Sequence, residues 1–276
     1  MNYVDLETSY EDGRPIEIYD ITYSGNTWHF TTDLDVIMFD GKRYTPIPIK
    51  RGETTNNGDA EKANMEIRIS KSCPMAEIFK ITPPSEPVTL TIRQYHKGAA
   101  ITNPELQTAV IWKGRIINIV WEEDEMILTT ESIFSSMLRI GVTRKYSRQC
   151  SHALYGSACR VNKANFMVES VVESHIGTTL RVSHGKPADW FTGGYLVYDN
   201  ADTGAIERRT ITESTATTVT VIGYPLGIRN GITKVKMYAG CNHTIETCRD
   251  KYNNVINYGG QPYIPIKNPF GGSTIY

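Results

Sequence analysis

The run Lys234-Val235-Lys236-Met237-Tyr238-Ala239-Gly240-Cys241-Asn242-His243-Thr244-Ile245-Glu246-Thr247-Cys248-Arg249-Asp250-Lys251-Tyr252-Asn253-Asn254 carries two signals at once. Its first residues alternate charged and apolar side chains, the pattern of a strand with one buried face. Directly after them, Gly240 opens a segment with two cysteines that bracket six residues, and an earlier pair, Cys150 and Cys159, brackets eight. How the strands between the two pairs are closed decides whether the four thiols meet.

Reading back from Lys234, the segments Met167 to Glu173, Thr179 to Val182, Tyr195 to Tyr198, Arg209 to Thr212 and Thr217 to Ile222 are all β-branched, aromatic or alternating. Turn signals such as Gly193-Gly194 and Gly223-Tyr224-Pro225 separate them, which predicts a small antiparallel barrel or sandwich inserted at about residues 165–239. The N-terminal half reads the same way, with strands over Glu17 to Tyr23, Thr27 to Thr31, Met65 to Ile69, Val88 to Ile92, Ala109 to Trp112 and Ile116 to Trp121. Asp40-Gly41 predicts a tight hairpin turn, because both positions need positive φ. The acidic Glu122-Glu123-Asp124-Glu125 is read as a second, solvated hairpin tip. Pro74, just after Cys73, marks the first turn of a short helix, and another is expected near Glu131 to Leu138. The expected fold is mainly β, with barrel or sandwich modules: a β domain over 1–145 and a cysteine-clamped domain over 146–276. The stretch Tyr263 to Gly272 is too rich in Pro and Gly for regular structure and is expected to form an exposed, extended arm.

With 276 residues, 40% of them hydrophobic, the chain can build substantial cores. Its 29 basic and 30 acidic residues nearly cancel, which leaves no whole-chain charge for nucleic acid or an anionic membrane. No run approaches the roughly 18 apolar residues of a membrane span. The chain is therefore expected to fold in the cytosol, where thiols stay reduced and paired cysteines signal metal or redox chemistry more than disulfides. Cys73, apart from both pairs, is read as a small buried hydrophobe.

Neither spacing matches a zinc ribbon or a bacterial ferredoxin. The context is more telling, since Arg144, Lys145, Arg148, Arg160, Arg249 and Lys251 flank the thiols and nearby cations lower thiol pKa values. Four thiolates with no open position suit a [4Fe-4S] cluster or a closed structural zinc. His152 and His243 each follow a cysteine by two residues. They could replace a thiol, but are read as bonding within their loops. No phosphate loop, zinc-protease helix or nucleophile elbow is present, so no catalytic residue is assigned and no enzyme activity expected. Asp33-Leu34-Asp35 lacks the alternation of a calcium loop and is read as a solvated face. The four tryptophans are read as core or interface residues.

Taken together, Cys150, Cys159, the Gly240-Cys241 segment with Cys248, Tyr252-Asn253-Asn254 and Asn257-Tyr258-Gly259-Gly260-Gln261-Pro262-Tyr263-Ile264-Pro265 resemble the C-terminal signature of a phage-tail family. That family includes the baseplate hub of gene transfer agents and the tail tip protein L of lambda-like phages. The resemblance is specific over about 146–265 and looser before it. Tyr258-Gly259-Gly260-Gln261-Pro262 stands where the family often has Phe-Gly-Gly-Phe-Pro. The resemblance implies that Cys150, Cys159, Cys241 and Cys248 ligate an iron–sulfur cluster. It also implies a virion structural protein, assembled in the host cytoplasm and sitting as a homotrimer at the tip of a long non-contractile tail. Its partners there would be the distal tail protein, the central tail fibre protein and other tail tip proteins, with no membrane and no specific nucleic acid. Two other readings stand beside it: an iron–sulfur redox protein, which would need a substrate site, and a zinc-stapled binding module, which differs only in the metal.

Overall fold

The computed structural model describes residues 7–8, 15–53, 64–80, 83–96, 108–138, 141 and 146–265. The chain is mainly β, as its periodicity predicts, and divides into two compact units, Met1–Arg139 and Ile140–Tyr276.

In the first unit nine strands form one sheet: β1 (Pro15–Tyr23), β2 (Asn26–Thr31), β3 (Ile37–Phe39), β4 (Lys42–Pro46), β5 (Ile49–Arg51), β6 (Met65–Ser70), β7 (Val88–His96), β8 (Thr108–Trp121) and β9 (Glu125–Ser132). They are ordered β3-β4-β2-β1-β7-β8-β9-β6-β5. The β2/β4 pairing is parallel, over Phe30↔Thr45 and Thr31↔Pro46. β4 and β5 lie near opposite ends of this order, yet only Ile47 and Pro48 separate them, a link that reaches about 10 Å. The sheet must therefore roll until its ends approach. The Ile47 amide donates to the Thr31 carbonyl at 3.2 Å, and Arg51 of β5 reaches Glu17 on β1 at 2.6 Å.

The alternation places Tyr19, Ile21 and Tyr23 on one face of β1, opposite Ile92 and Leu90 of β7, while β6 and β9 match Ile67 to Leu128 and Ile69 to Met126. All of these are buried. The other face of β1 presents Ile18, which packs with Ile37, Phe39 and Tyr44 of the β3–β4 hairpin. Asp20 lies beside this satellite core and accepts from His29 Nδ1 at 2.6 Å, Tyr44 Oη at 2.9 Å and Arg93. Three partners offset the cost of drawing that carboxylate out of water.

Asp40 and Gly41 adopt φ values of 50° and 68° and join β3 to β4 as expected. Cys73 is buried ahead of a 3-10 turn over Pro74–Phe79. Two expectations are corrected. The segments Ala109–Trp112 and Ile116–Trp121 are one strand, β8, running through Gly114. Glu131 and Ser132 belong to β9, with a 3-10 turn only from Ile133 to Leu138. Gly114 looks like a strand break in sequence. It is instead where the backbones approach too closely for a side chain, since a Cβ there would lie 2.1 Å from the Glu131 carbonyl oxygen.

The second unit contains a closed six-stranded barrel: β10 (Met167–Ile176), β11 (Thr179–Val182), β12 (Tyr195–Asp199), β13 (Ile206–Ser214), β14 (Thr218–Val221) and β15 (Lys234–Tyr238). They follow the order β10-β11-β14-β13-β12-β15, and the ring closes through β10/β15. Inward side chains, including Val172, Leu180, Phe191, Leu196, Ile211, Val219, Val235 and Met237, fill the interior. Register shifts at Val172/Ser174 and Ile211/Glu213 supply the bends that closure of so small a barrel requires.

Gly114→Ala should destabilise the first unit by about 3 kcal/mol, because β8 and β9 must separate to admit the methyl group. Urea unfolding followed separately for the two units checks this. The barrel transition should not move, and a loss under about 1 kcal/mol would show that Gly114 is not under steric constraint.

Candidate metal centre

Closure of the barrel through its first and last strands fixes where the cysteines go. Met167 at the start of β10 pairs with Tyr238 at the end of β15, and the Ala239 amide donates to the Phe166 carbonyl at 3.0 Å. The chain therefore enters and leaves the barrel at the same end. The entering segment carries Cys150 and Cys159, the leaving segment Cys241 and Cys248. Gly194 and Gly240 let the exit run against the barrel mouth, since a Cβ on Gly240 would sit 1.9 Å from the Thr192 carbonyl oxygen and one on Gly194 2.1 Å from that of Tyr238.

Beyond Gly240 the chain turns through His243 at φ 63° into a short helix, α1 (Ile245–Asp250). Thr244 caps it by accepting from the Thr247 amide at 3.3 Å, and Cys248 is its buried residue. The two cysteine segments are joined directly, because the Cys150 amide donates to the His243 carbonyl at 2.9 Å. All four thiols are free, and with His152, Leu154, Val161, His243 and Tyr252 among their neighbours they line one cavity of about 20 Å³. Two thiols accept backbone N–H groups and a third donates its S–H. The Gly259 amide points at Cys150 Sγ (3.2 Å), the His243 amide at Cys241 Sγ (3.3 Å), and Cys248 Sγ donates to the Asn254 carbonyl (3.2 Å). Asn254 Nδ2 also donates to the Cys159 carbonyl at 2.6 Å, with Cys159 Sγ 3.8 Å away.

The glycine-rich segment after α1 straps this loop. Tyr258 Oη donates to the Arg148 carbonyl at 2.6 Å and the Gln261 amide to the Ser147 carbonyl at 2.8 Å. Gly259 lies so close to the His152 ring that a Cβ would approach it to 2.6 Å. His152 Nδ1 meets the Asn257 carbonyl at 3.0 Å, so this histidine bonds across to the strap and not within its own loop as expected. The segment ahead of the expected arm holds the first cysteine loop as far as Gln261, and Tyr263, where the arm begins, is exposed. Residues 266–272 of the arm lie outside the described residues.

The electrostatics correct the expectation that flanking cations acidify the thiols. Burial pushes Cys248 up to about 11, with Cys150, Cys159 and Cys241 adding to the effect. Burial also raises Cys241, and the His243 amide and Lys251 only partly oppose it. Arg148 and Arg160 are exposed, and Arg249 pairs with Asp250 in solvent. Arg144 and Lys145 lie outside the described residues. Lys251 alone turns inward. Its Nζ donates to the carbonyls of Trp190 and Gly240 and stands 4.5 Å from the Trp190 ring centroid, and burial pushes its pKa down to about 8. Among the described residues no group of three or more His, Cys, Asp or Glu is set to hold a single metal ion.

Of the residues that build this site, Tyr155 is not singled out from sequence, and Asn254 is marked there only within the Tyr252-Asn253-Asn254 motif. Tyr155, at φ 63°, donates to the Ala239 carbonyl at 2.7 Å and packs edge-on against Tyr195, Tyr238 and Tyr252. Asn254 links the second pair to the first. For α1 the signal was present, a Thr at the cap, Glu246 in the first turn and Arg249 in the last. For Tyr155 and Asn254 no local pattern foretells a partner some 84 or 95 residues away.

A family model described as phage conserved hypothetical protein BR0599 matches residues 189–268, which include Cys241, Cys248 and the Tyr258-Gly259-Gly260 strap but not the first pair. No curated protein matches the chain. Among solved structures, a chain of the virion of a native gene transfer agent particle shares the fold. It has a TM-score of 0.75 at 18% identity, with 99% of this chain and 97% of that chain covered.

In protein free of any bound metal, Cys248 should resist alkylation. A thiol at about 11 instead of 9.0 holds about a hundredfold less thiolate near pH 8. Its reactivity should climb as pH approaches 11. Mass spectrometry of iodoacetamide-treated native protein across pH 7–11 reads this directly, and labelling of Cys248 at the rate of an unfolded thiol would refute the burial effect.

Proposed function

We propose that this chain is a virion structural protein, a homotrimeric baseplate hub at the tip of a long non-contractile phage-type tail, with a [4Fe-4S] cluster on Cys150, Cys159, Cys241 and Cys248. The observation that carries the structural role is the fold shared over nearly the whole length of both chains with a component of a gene transfer agent virion. The phage family model over 189–268 and the cysteine and strap signature agree with it. Expected partners are the distal tail protein, the central tail fibre protein and other tail tip proteins.

The four thiols line one cavity, and a closed tetrahedral zinc would use the same four sulfurs. A cluster separates its thiolates by its own width and suits four cysteines with amides aimed at sulfur. Bound there, it would supply four covalent ties among the entry loop, α1 and the barrel mouth. The chain's own residues do the rest: Asn254 and the Gly259 amide orient the sulfurs, Leu154, Val161 and Tyr252 exclude water, and Lys251 holds the barrel's exit carbonyls.

Anaerobically purified protein should be brown, absorb broadly near 400 nm and contain about four irons per chain. Colourless protein with stoichiometric zinc would overturn the cluster. Cys241→Ser should lose the iron and open residues 146–265 to protease while sparing the first unit. Particles assembled without this protein should lack completed tails, and fully tailed particles without it would overturn the structural role.

A further inference from the structure

The first unit carries an apolar groove and an apolar projection that none of its described residues covers. The groove, about 530 Å³, runs beneath the Pro83–Pro87 loop, with Phe79, Pro83, Pro84, Ile117, Ile119 and Trp121 in its wall. The projection is the 3-10 turn after β9, where Ile133, Phe134 and Met137 are 52%, 57% and 77% exposed. Exposed apolar side chains gathered in one place are a feature of interaction sites.

Groove and projection are neighbours on one face. A smaller cavity of about 220 Å³, lined by Lys113, Ile133 and Ser136, shares Pro87 and Arg115 with the groove. The charges are divided between them: Glu86 lies in the groove wall and Lys113 beside the projection. Among the described residues neither has an ion-pair partner, whereas Arg115 between them is held by Glu131 at 2.6 Å. A surface with an unfilled groove and an acid on one part, and an uncovered projection and a base on the next, complements another copy of itself.

We propose that copies of this chain associate through this face, the Phe134 and Met137 turn of one copy seated in the Pro83–Trp121 groove of the next, with Lys113 of the first meeting Glu86 of the second. Placed head to tail, with the projection of each copy in the groove of the next, the contact is heterologous and closes into a ring if the rotation allows; the reciprocal placement of the same face would give a two-fold pair, so a wild-type mass of two chains would overturn the ring. The inference rests on the reading of this chain as a homotrimer and assigns the surface that makes it.

Native mass measurement and sedimentation of the full-length, anaerobically prepared chain test the proposal. Wild type is expected at the mass of three chains. Phe134→Asp with Met137→Asp should fall to one chain with unchanged circular dichroism and iron content. Glu86→Lys alone should raise the concentration for half-assembly at least tenfold, and Glu86→Lys with Lys113→Glu should restore it. A three-chain mass in the double Asp variant, or a swap that restores nothing, would overturn the surface and leave the homotrimer standing. A wild type that is one chain at every concentration would overturn both. If that single chain bound another tail protein through Phe134 and Met137, the face would belong to that partner, and the copy-to-copy contact would be wrong.

Discussion

The pairing of β10 with β15 is the constraint on which the candidate centre depends. A six-stranded barrel has to close, and closing it through its first and last strands returns the chain to its point of entry. Two short cysteine segments, more than 80 residues apart in sequence, are thereby delivered to one mouth. Everything that follows is local: glycines that allow the exit to press against the rim, one amide bond from Cys150 to His243, and α1 folded down to bury Cys248. Lys251 and Tyr252 then take up the carbonyl of Gly240, at 2.8 and 2.7 Å, which would otherwise be stranded at a dry junction.

Burial shapes the chemistry of the thiols more than charge does. Without a bound centre, desolvation favours the protonated form at Cys241 and Cys248, and the one inward cation is itself driven toward neutrality. Such thiols are poor free nucleophiles. A bound metal's own charge would replace the missing water and make thiolates of them, so binding there would release protons and be coupled to folding of the loops. That behaviour belongs to a fixed cross-link more than to an exposed reactive cysteine, and it accords with a structural role.

The first unit solves a different problem. Its nine strands roll because a two-residue link joins strands near opposite ends of the sheet, and the β3–β4 hairpin then lies over the outer face of β1 with its own small core and the Asp20 hub. The rolled sheet hides its alternating apolar positions inside. Among the described residues, the apolar side chains left outside gather on β8 and the turn after β9, with a second group at Leu34, Val36 and Met38.

The sequence by itself determined the β character, nearly every strand of the barrel, the Asp40-Gly41 turn and the burial of Cys73, because alternation and turn chemistry act over a few residues. It also marked the four cysteines. It could not reveal that β8 runs unbroken through Gly114, since the need for glycine there arises from a carbonyl on another strand. Nor could it weigh Arg249 against burial, because that side chain's partner and exposure are set by the fold. Only the tertiary structure decided that Tyr155, Asn254 and Gly259 frame the thiols and that burial holds Cys241 and Cys248 up in pKa. Those properties depend on which atoms surround a group in space, and the β10/β15 closure, not proximity along the chain, selects them.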